Sequence, residues 1–265
     1  MTAGPDRPGR VVLLAGPGEP TDIVYNYLAS RFVDVVVVLE RPVPRVTLAR
    51  RRARRLGWAT VLGQVAFVTV ALPLLRRSSR ERVRAILVES GLDATVNPDV
   101  VRVASVNDPA TAELLCVLRP AVVVVQGTRI ISDATLTSVP EPFINVHAGI
   151  TPHYRGVHGG YWALVEDRPD LVGTTVHLVD AGIDTGGVLA RASFTPTPDD
   201  DFATYPYRHL AVGLPLLAEQ VERVLAGQEL RVLGPADAAG APSSQLRWHP
   251  TLWGYVWTRL RRGVR

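Results

Sequence analysis

Lysine is absent from this chain of 265 residues; apart from histidine, every basic side chain is an arginine. That absence removes whole classes of chemistry. No phosphate-binding Gly-Lys-Ser/Thr loop, no pyridoxal Schiff base and no lysine general base can be built. A single cysteine, Cys116, sits in the apolar stretch Ala112-Glu-Leu-Leu-Cys-Val-Leu118, which excludes an internal disulfide framework and a cysteine zinc site. It reads as a small core residue. The N-terminal Met1-Thr-Ala-Gly-Pro-Asp-Arg-Pro-Gly-Arg10 lacks the apolar stretch and cleavage site of a secretory signal, so the expected location is the cytoplasm. Charged residues are few at 20%, against 47% hydrophobic, a balance that favours a packed core over disorder. The net charge of +4 suits anionic partners.

The apolar runs are short and regularly placed. Val11–Ala15 is a short apolar run, and Val35–Leu39 and Ala121–Val125 are rich in β-branched valine and unbroken, as strands covered on both faces are. Phe143–His147, Thr174–Val179 and Val188–Phe194 read as further strands. Helical spacing covers Thr21–Ser30, with Thr21 or Asp22 near the N-cap, and Asp108–Leu118, Tyr161–Glu166 and Leu210–Ala226, the last stopped by Gly227. Strands alternating with helices predict an α/β domain, Rossmann-like, with a mostly parallel sheet and helices on both faces. Sites in such sheets lie beyond the carboxyl ends of the strands. Gly16-Pro-Gly18 is not a full G-x-G-x-x-G, which argues against dinucleotide binding.

Residues 45–90 break the rhythm. Arg50-Arg-Arg-Ala-Arg-Arg55 precedes an uncharged run through Leu75, and Arg76, Arg77, Arg80, Arg82 and Arg84 follow. The run has the length of a bilayer span, yet a crossing would divide one sheet between two sides of a membrane. Two readings stay open: a helical pair packed on the sheet or on another subunit in a homo-oligomer, or a patch at residues 56–75 lying peripherally on the inner face of a membrane with arginines on anionic head groups. The tail from Leu246 is basic and holds Trp248, Trp253 and Trp257. It either docks on the core or stacks on a membrane or a base. The expected division is a catalytic domain over 1–200, with the helical insert at 45–90, and a C-terminal helix and tail over 201–265.

Chemistry concentrates in Asn145-Val-His147. Alternate residues of a strand share a face, so the amide and the imidazole project together. Asp180-Ala-Gly-Ile-Asp-Thr-Gly186 follows one helix and one strand later and can bring Asp184 alongside. Amide, imidazole and carboxylate together suit acyl transfer without a covalent intermediate. Singly, each has an ordinary structural explanation: a capped turn, a core histidine, an Asx turn.

Phe143-Ile-Asn-Val-His-Ala-Gly-Ile-Thr-Pro-His-Tyr-Arg-Gly156, with Asp180-x-Gly-x-Asp-Thr-Gly186 beyond it, resembles the folate-dependent formyltransferase family, closely over Phe143–Leu189 and loosely over Arg10–Phe194. The resemblance implies the formyltransferase fold, 10-formyltetrahydrofolate as formyl donor and no metal. It gives Asn145, His147 and Asp184 the catalytic roles. It assigns the pterin to the loops Gln126, Gly127, Thr128, Arg129, Ile130, Ile131 and Asp180, Ala181, Gly182, Ile183. There Ile130 and Ile131 sandwich the ring, and backbone amides near Arg129 and Asp180 meet its edge. The common Ser-Leu-Leu-Pro is replaced by Gly149-Ile-Thr-Pro152. Tyr154, Arg155, His158 and Tyr161 are the candidates for contact with a small-molecule amine. The Tyr154-Arg-Gly156 turn and Val157-His-Gly-Gly-Tyr-Trp162 resemble enzymes of amino-sugar pathways, so the expected acceptor is an amino sugar carried on a nucleotide or a lipid. No nucleic-acid partner is expected, because the stretch after the last sheet strand looks too helical for the barrel of methionyl-tRNA formyltransferases. Glycinamide ribonucleotide or methionyl-tRNA as acceptor, hydrolysis of the folate, and a non-catalytic binding module are the rival readings.

Overall fold

In the computed structural model, residues 9–97, 99–234 and 245–265 are described. Residues 1–8, read above for a secretory signal, lie outside them. The chain runs β1 (Val11–Ala15), α1 (Glu19–Ala29), β2 (Val35–Glu40), α2 (Arg45–Leu56), α3 (Trp58–Ala66), a π-helical turn at Phe67–Ala71, α4 (Leu72–Ser78) and α5 (Arg80–Glu89). Then come β3 (Val100–Val103), α6 (Pro109–Leu118), β4 (Val122–Gln126), α7 (Asp133–Leu136), β5 (Phe143–His147), β6 (Arg155–Gly156) and α8 (Gly159–Val165). The last elements are β7 (Gly173–Leu178), β8 (Val188–Ser193), α9 (Tyr205–Leu225), β9 (Leu246–Arg247) and α10 (Leu252–Arg262).

Seven strands form one sheet in the order β3-β2-β1-β4-β5-β7-β8. The first five are parallel; β7 and β8 return antiparallel. The valine-rich strands lack polar alternation because each face is covered. Val11, Leu13 and Val124 face α1 and α9, whose Ile23, Leu214 and Leu217 are fully buried. Val12, Leu14 and Val123 face Leu115 of α6 on the other side. Burying side chains of this size stabilises by about 1.5–3 kcal/mol each.

The reading of α1 needs a correction. The helix starts at Glu19, with Gly18 as its N-cap residue; the Thr21 hydroxyl instead donates to the Gly16 carbonyl at 2.6 Å and ties the turn after β1. The α6 start is as its Asp-Pro suggests: the Asp108 carboxylate accepts from the Ala110 amide. α9 begins at Tyr205, earlier than its apolar spacing marks, and Gly227 at φ 68° follows its end.

Candidate active site

The site is built where β5 meets β7. Their antiparallel register sets Asn145 opposite His177 and His147 opposite Thr175. Alternation then brings Asn145, His147 and His177 to one face. The loop after β7 folds back so that Asp184, at φ 52°, reaches both imidazoles. Its Oδ1 lies 3.4 Å from His147 Nδ1 and 3.7 Å from His177 Nε2, and its Oδ2 accepts from the Gly156 amide at 2.8 Å. Asn145 and His147 of β5, His177 of β7 and Asp184 therefore meet within one cluster, with His147 6% exposed and the Asp184 side chain 13% exposed.

Hydrogen-bond chemistry orients the rings. His147 Nε2 is 2.8 Å from the Tyr154 carbonyl, which can only accept, so Nε2 carries a hydrogen and Nδ1 faces Asp184. His177 Nδ1 donates to the Leu178 carbonyl at 2.7 Å, leaving Nε2 to accept from the Asn145 amide at 3.1 Å. Burial, before any charge effect, pushes the His177 pKa down and favours this neutral form. His177 thus turns the Asn145 NH2 in a fixed direction, with one hydrogen left for another acceptor. The sequence reading names His177 only as part of a strand. Its role is visible once the pairing of β5 with β7 is known.

The remaining residues divide. Arg155 donates from Nε to the Ile183 carbonyl at 2.7 Å, joining the Tyr154–Gly156 turn to the Asp184 loop. Asp180 spends its carboxylate within its own loop, accepting from the Gly182 amide and the Thr185 hydroxyl. Ala181 and Gly182 are exposed, as is Gly127; Gln126 and Thr128 are half-buried.

Several of the predicted residues have partners inside the protein. The Arg129 amide donates to Glu40 Oε1 at 2.7 Å and its guanidinium pairs with Oε2 at 2.6 Å, so that amide is engaged inside the protein. Ile131 is 4% exposed in the core beneath α6 and α7 while Ile130 is 57% exposed, so the two do not share a face. Tyr154 is buried with its hydroxyl donating to Glu166, which with burial raises its pKa. Tyr161 is buried, and its hydroxyl meets that of Thr258 in α10. His158 faces His249 of the tail, with ring nitrogens 2.8 Å apart, and packs on Phe202. His158 and Tyr161 meet the tail, and Tyr154 packs against α8, rather than lining an open surface. Aromatic size and a polar tip carry no local mark that separates the two uses.

The tail itself completes the site. β9 pairs with β6, and Gly156, at φ 93°, lies so close to Arg247 that a Cβ would come within 2.4 Å of its carbonyl oxygen. Two surface cavities, of about 240 and 440 Å³, lie elsewhere and do not touch the cluster. Among the described residues, no group of three or more His, Cys, Asp or Glu is placed to hold a metal ion.

The chain is 33% identical over 121 residues to a methionyl-tRNA formyltransferase of Koribacter versatilis, a match covering 46% of this chain and 38% of that one. It is 32% identical over 124 residues to the Trichlorobacter lovleyi protein of the same name, covering 46% and 39%. These matches therefore span about two fifths of the relatives' length. Among solved structures, a glycinamide ribonucleotide transformylase from Symbiobacterium toebii is similar at a TM-score of 0.53 and 20% identity, covering 85% of this chain and 94% of that one. A sugar N-formyltransferase from a Shewanella species matches at 0.52 and 14%, covering 90% and 76%. Both show a shared fold. The formyl transferase family model matches residues 74–221, more than half of the chain and all of the cluster; the chain belongs to the formyl transferase family.

Proposed function

We propose that the chain transfers the formyl group of 10-formyltetrahydrofolate to a primary amine, with Asn145, His147 and Asp184 as the catalytic set. The observation that carries this is the convergence of one amide hydrogen, one imidazole Nδ1 and one carboxylate at the β5–β7 edge. The donor set fits a formyl carbonyl. The free Asn145 N–H and the His147 imidazole stabilise the oxyanion of a tetrahedral adduct. Asp184 faces the His147 imidazole and takes a proton from the attacking amine. Breakdown of the adduct returns a proton to the departing folate nitrogen. The carrier, when bound, supplies the activated formyl group. Residues 126–128 with Ile130, and 180–183, are the walls that would hold its ring; the Arg129 amide and the Ile131 side chain are left out, being engaged inside the protein.

The acceptor we infer is the amine of an amino sugar carried on a nucleotide or a lipid. Its support is the likeness of Tyr154–Gly156 and Val157–Trp162 to amino-sugar enzymes. The test is incubation with 10-formyltetrahydrofolate and a panel of amino-sugar nucleotides, read as a formyl mass gain on the sugar. Product from glycinamide ribonucleotide or charged tRNA alone would replace the acceptor, and formate released without any acceptor would make the protein a hydrolase.

A further inference from the structure

Between β2 and β3, Trp58–Ser78 forms a helical run long and apolar enough by composition to cross a bilayer. One face of it is built into the protein. Phe67 is fully buried, with ring centroids 4.9 Å from Phe202 and 5.1 Å from Tyr255. Gln64, 4% exposed, donates to the His249 carbonyl. A crossing would strip these contacts and leave polar groups unpaired in hydrocarbon. The opposite face is bare: Trp58, Leu62, Val65 and Leu74 are 47–64% exposed.

A second helix widens that face. The Trp253 indole of α10 covers Gly63 of α3, where a Cβ would come within 2.3 Å of the ring. On α10, Tyr255 and Thr258 point inward, while Trp253, Trp257 and Leu260 point out. Both helices therefore turn an apolar row to solvent beside one another. Arginine surrounds them. Ten arginines lie between Arg41 and Arg80 and five between Arg247 and Arg265, with no aspartate or glutamate in either stretch. Arg50, Arg51, Arg54, Arg55, Arg76 and Arg77 stand at the surface.

We propose that this composite face docks on an anionic lipid bilayer, with α3, α4 and α10 lying in the plane of the interface. Contiguous exposed apolar surface of this kind marks a contact site. Tryptophan suits the boundary between head groups and hydrocarbon, and arginine pairs with lipid phosphates. A second copy is disfavoured by charge, since a two-fold contact sets the patch on itself and brings two arginine-only borders together. The face also adjoins the candidate site. β9, a few residues before α10, pairs with β6, whose Gly156 amide holds Asp184. The inference does not depend on the formyl-transfer reading.

Flotation of the full-length protein tests it, with vesicles of phosphatidylcholine alone and of phosphatidylcholine mixed with phosphatidylglycerol. The protein should float with the anionic vesicles, less so as salt rises. Each surface arginine contributes about fivefold to partitioning, so R50Q/R51Q/R54Q/R55Q should lower it by about 600-fold. L62Q/W257Q/L260Q should abolish flotation while circular dichroism stays unchanged. Brominated lipid should quench the tryptophan fluorescence of the unaltered protein, a reading that does not need the variants to fold. Three results overturn the proposal: no flotation, equal flotation on neutral vesicles, or a solution dimer that the apolar triple variant turns into a monomer, which would make a second copy the occupant.

Discussion

Replacing His209 with glutamine isolates one buried imidazole as a source of acid sensitivity. His209 lies in α9, 3% exposed, between Thr174 of β7 and Gly160 of α8. The Thr174 hydroxyl donates to the His209 carbonyl and so accepts from Nδ1. That leaves Nε2 without a hydrogen-bond partner among the described residues. Burial first, and then the neighbouring His147, push the pKa from 6.5 to about 3. The sign follows directly. Between about pH 6.5 and 3 the unfolded chain binds a proton that the folded protein refuses, so stability falls as pH falls through that window. At pH 5 the loss is about 2 kcal/mol, which for a chain of this size is about 4–8 °C in Tm. Thermal unfolding of both proteins from pH 7.5 to pH 4.5, followed by circular dichroism, measures it. His209→Gln should show a flatter dependence of Tm on pH whatever its absolute stability. His158, His177 and His249, also held low by burial, supply a residual slope common to both. Parallel curves would refute the assignment of the effect to His209.

Asn145→Ala, His147→Ala and Asp184→Asn should each lower kcat for formyl transfer by about 10²–10⁴-fold with unchanged circular dichroism; full activity in any of them removes that residue from the set. Arg129→Gln should destabilise by about 3–5 kcal/mol in urea unfolding at pH 7, because Glu40, 5% exposed, keeps its charge without a counter-ion. Phe67→Ala should cost about 3–5 kcal/mol in the same assay, as the fully buried ring joins the insert to the body. Gly156→Ala should loosen the tail, seen as faster proteolysis after Arg247, since both its φ of 93° and the Arg247 carbonyl oppose a side chain.

The central strands are legible in the sequence because both faces of the sheet are covered, which leaves unbroken runs such as Val35–Leu39. β3 is not legible: only four residues long at the sheet edge, it exposes Val101 and Arg102 and shows no such run. Asn145 and His147 can be read as neighbours from strand alternation alone. His177 cannot, because its approach to Asn145 depends on pairing between strands 32 positions apart. The burial of Tyr161 depends likewise on the docking of α10, a contact that no local pattern announces. The two readings of the insert share one cause: its helix has an inward and an outward apolar face, so composition cannot say which side is covered.

The two-residue ladder of β6 and β9 joins positions some ninety residues apart. While the chain is being made, the turn that bears Gly156 leaves the ribosome long before its partner does. Its backbone must wait for Leu246 and Arg247 to emerge before the ladder can close. The corner of the fold that holds the candidate site is thus among the last parts of the newborn protein to mature.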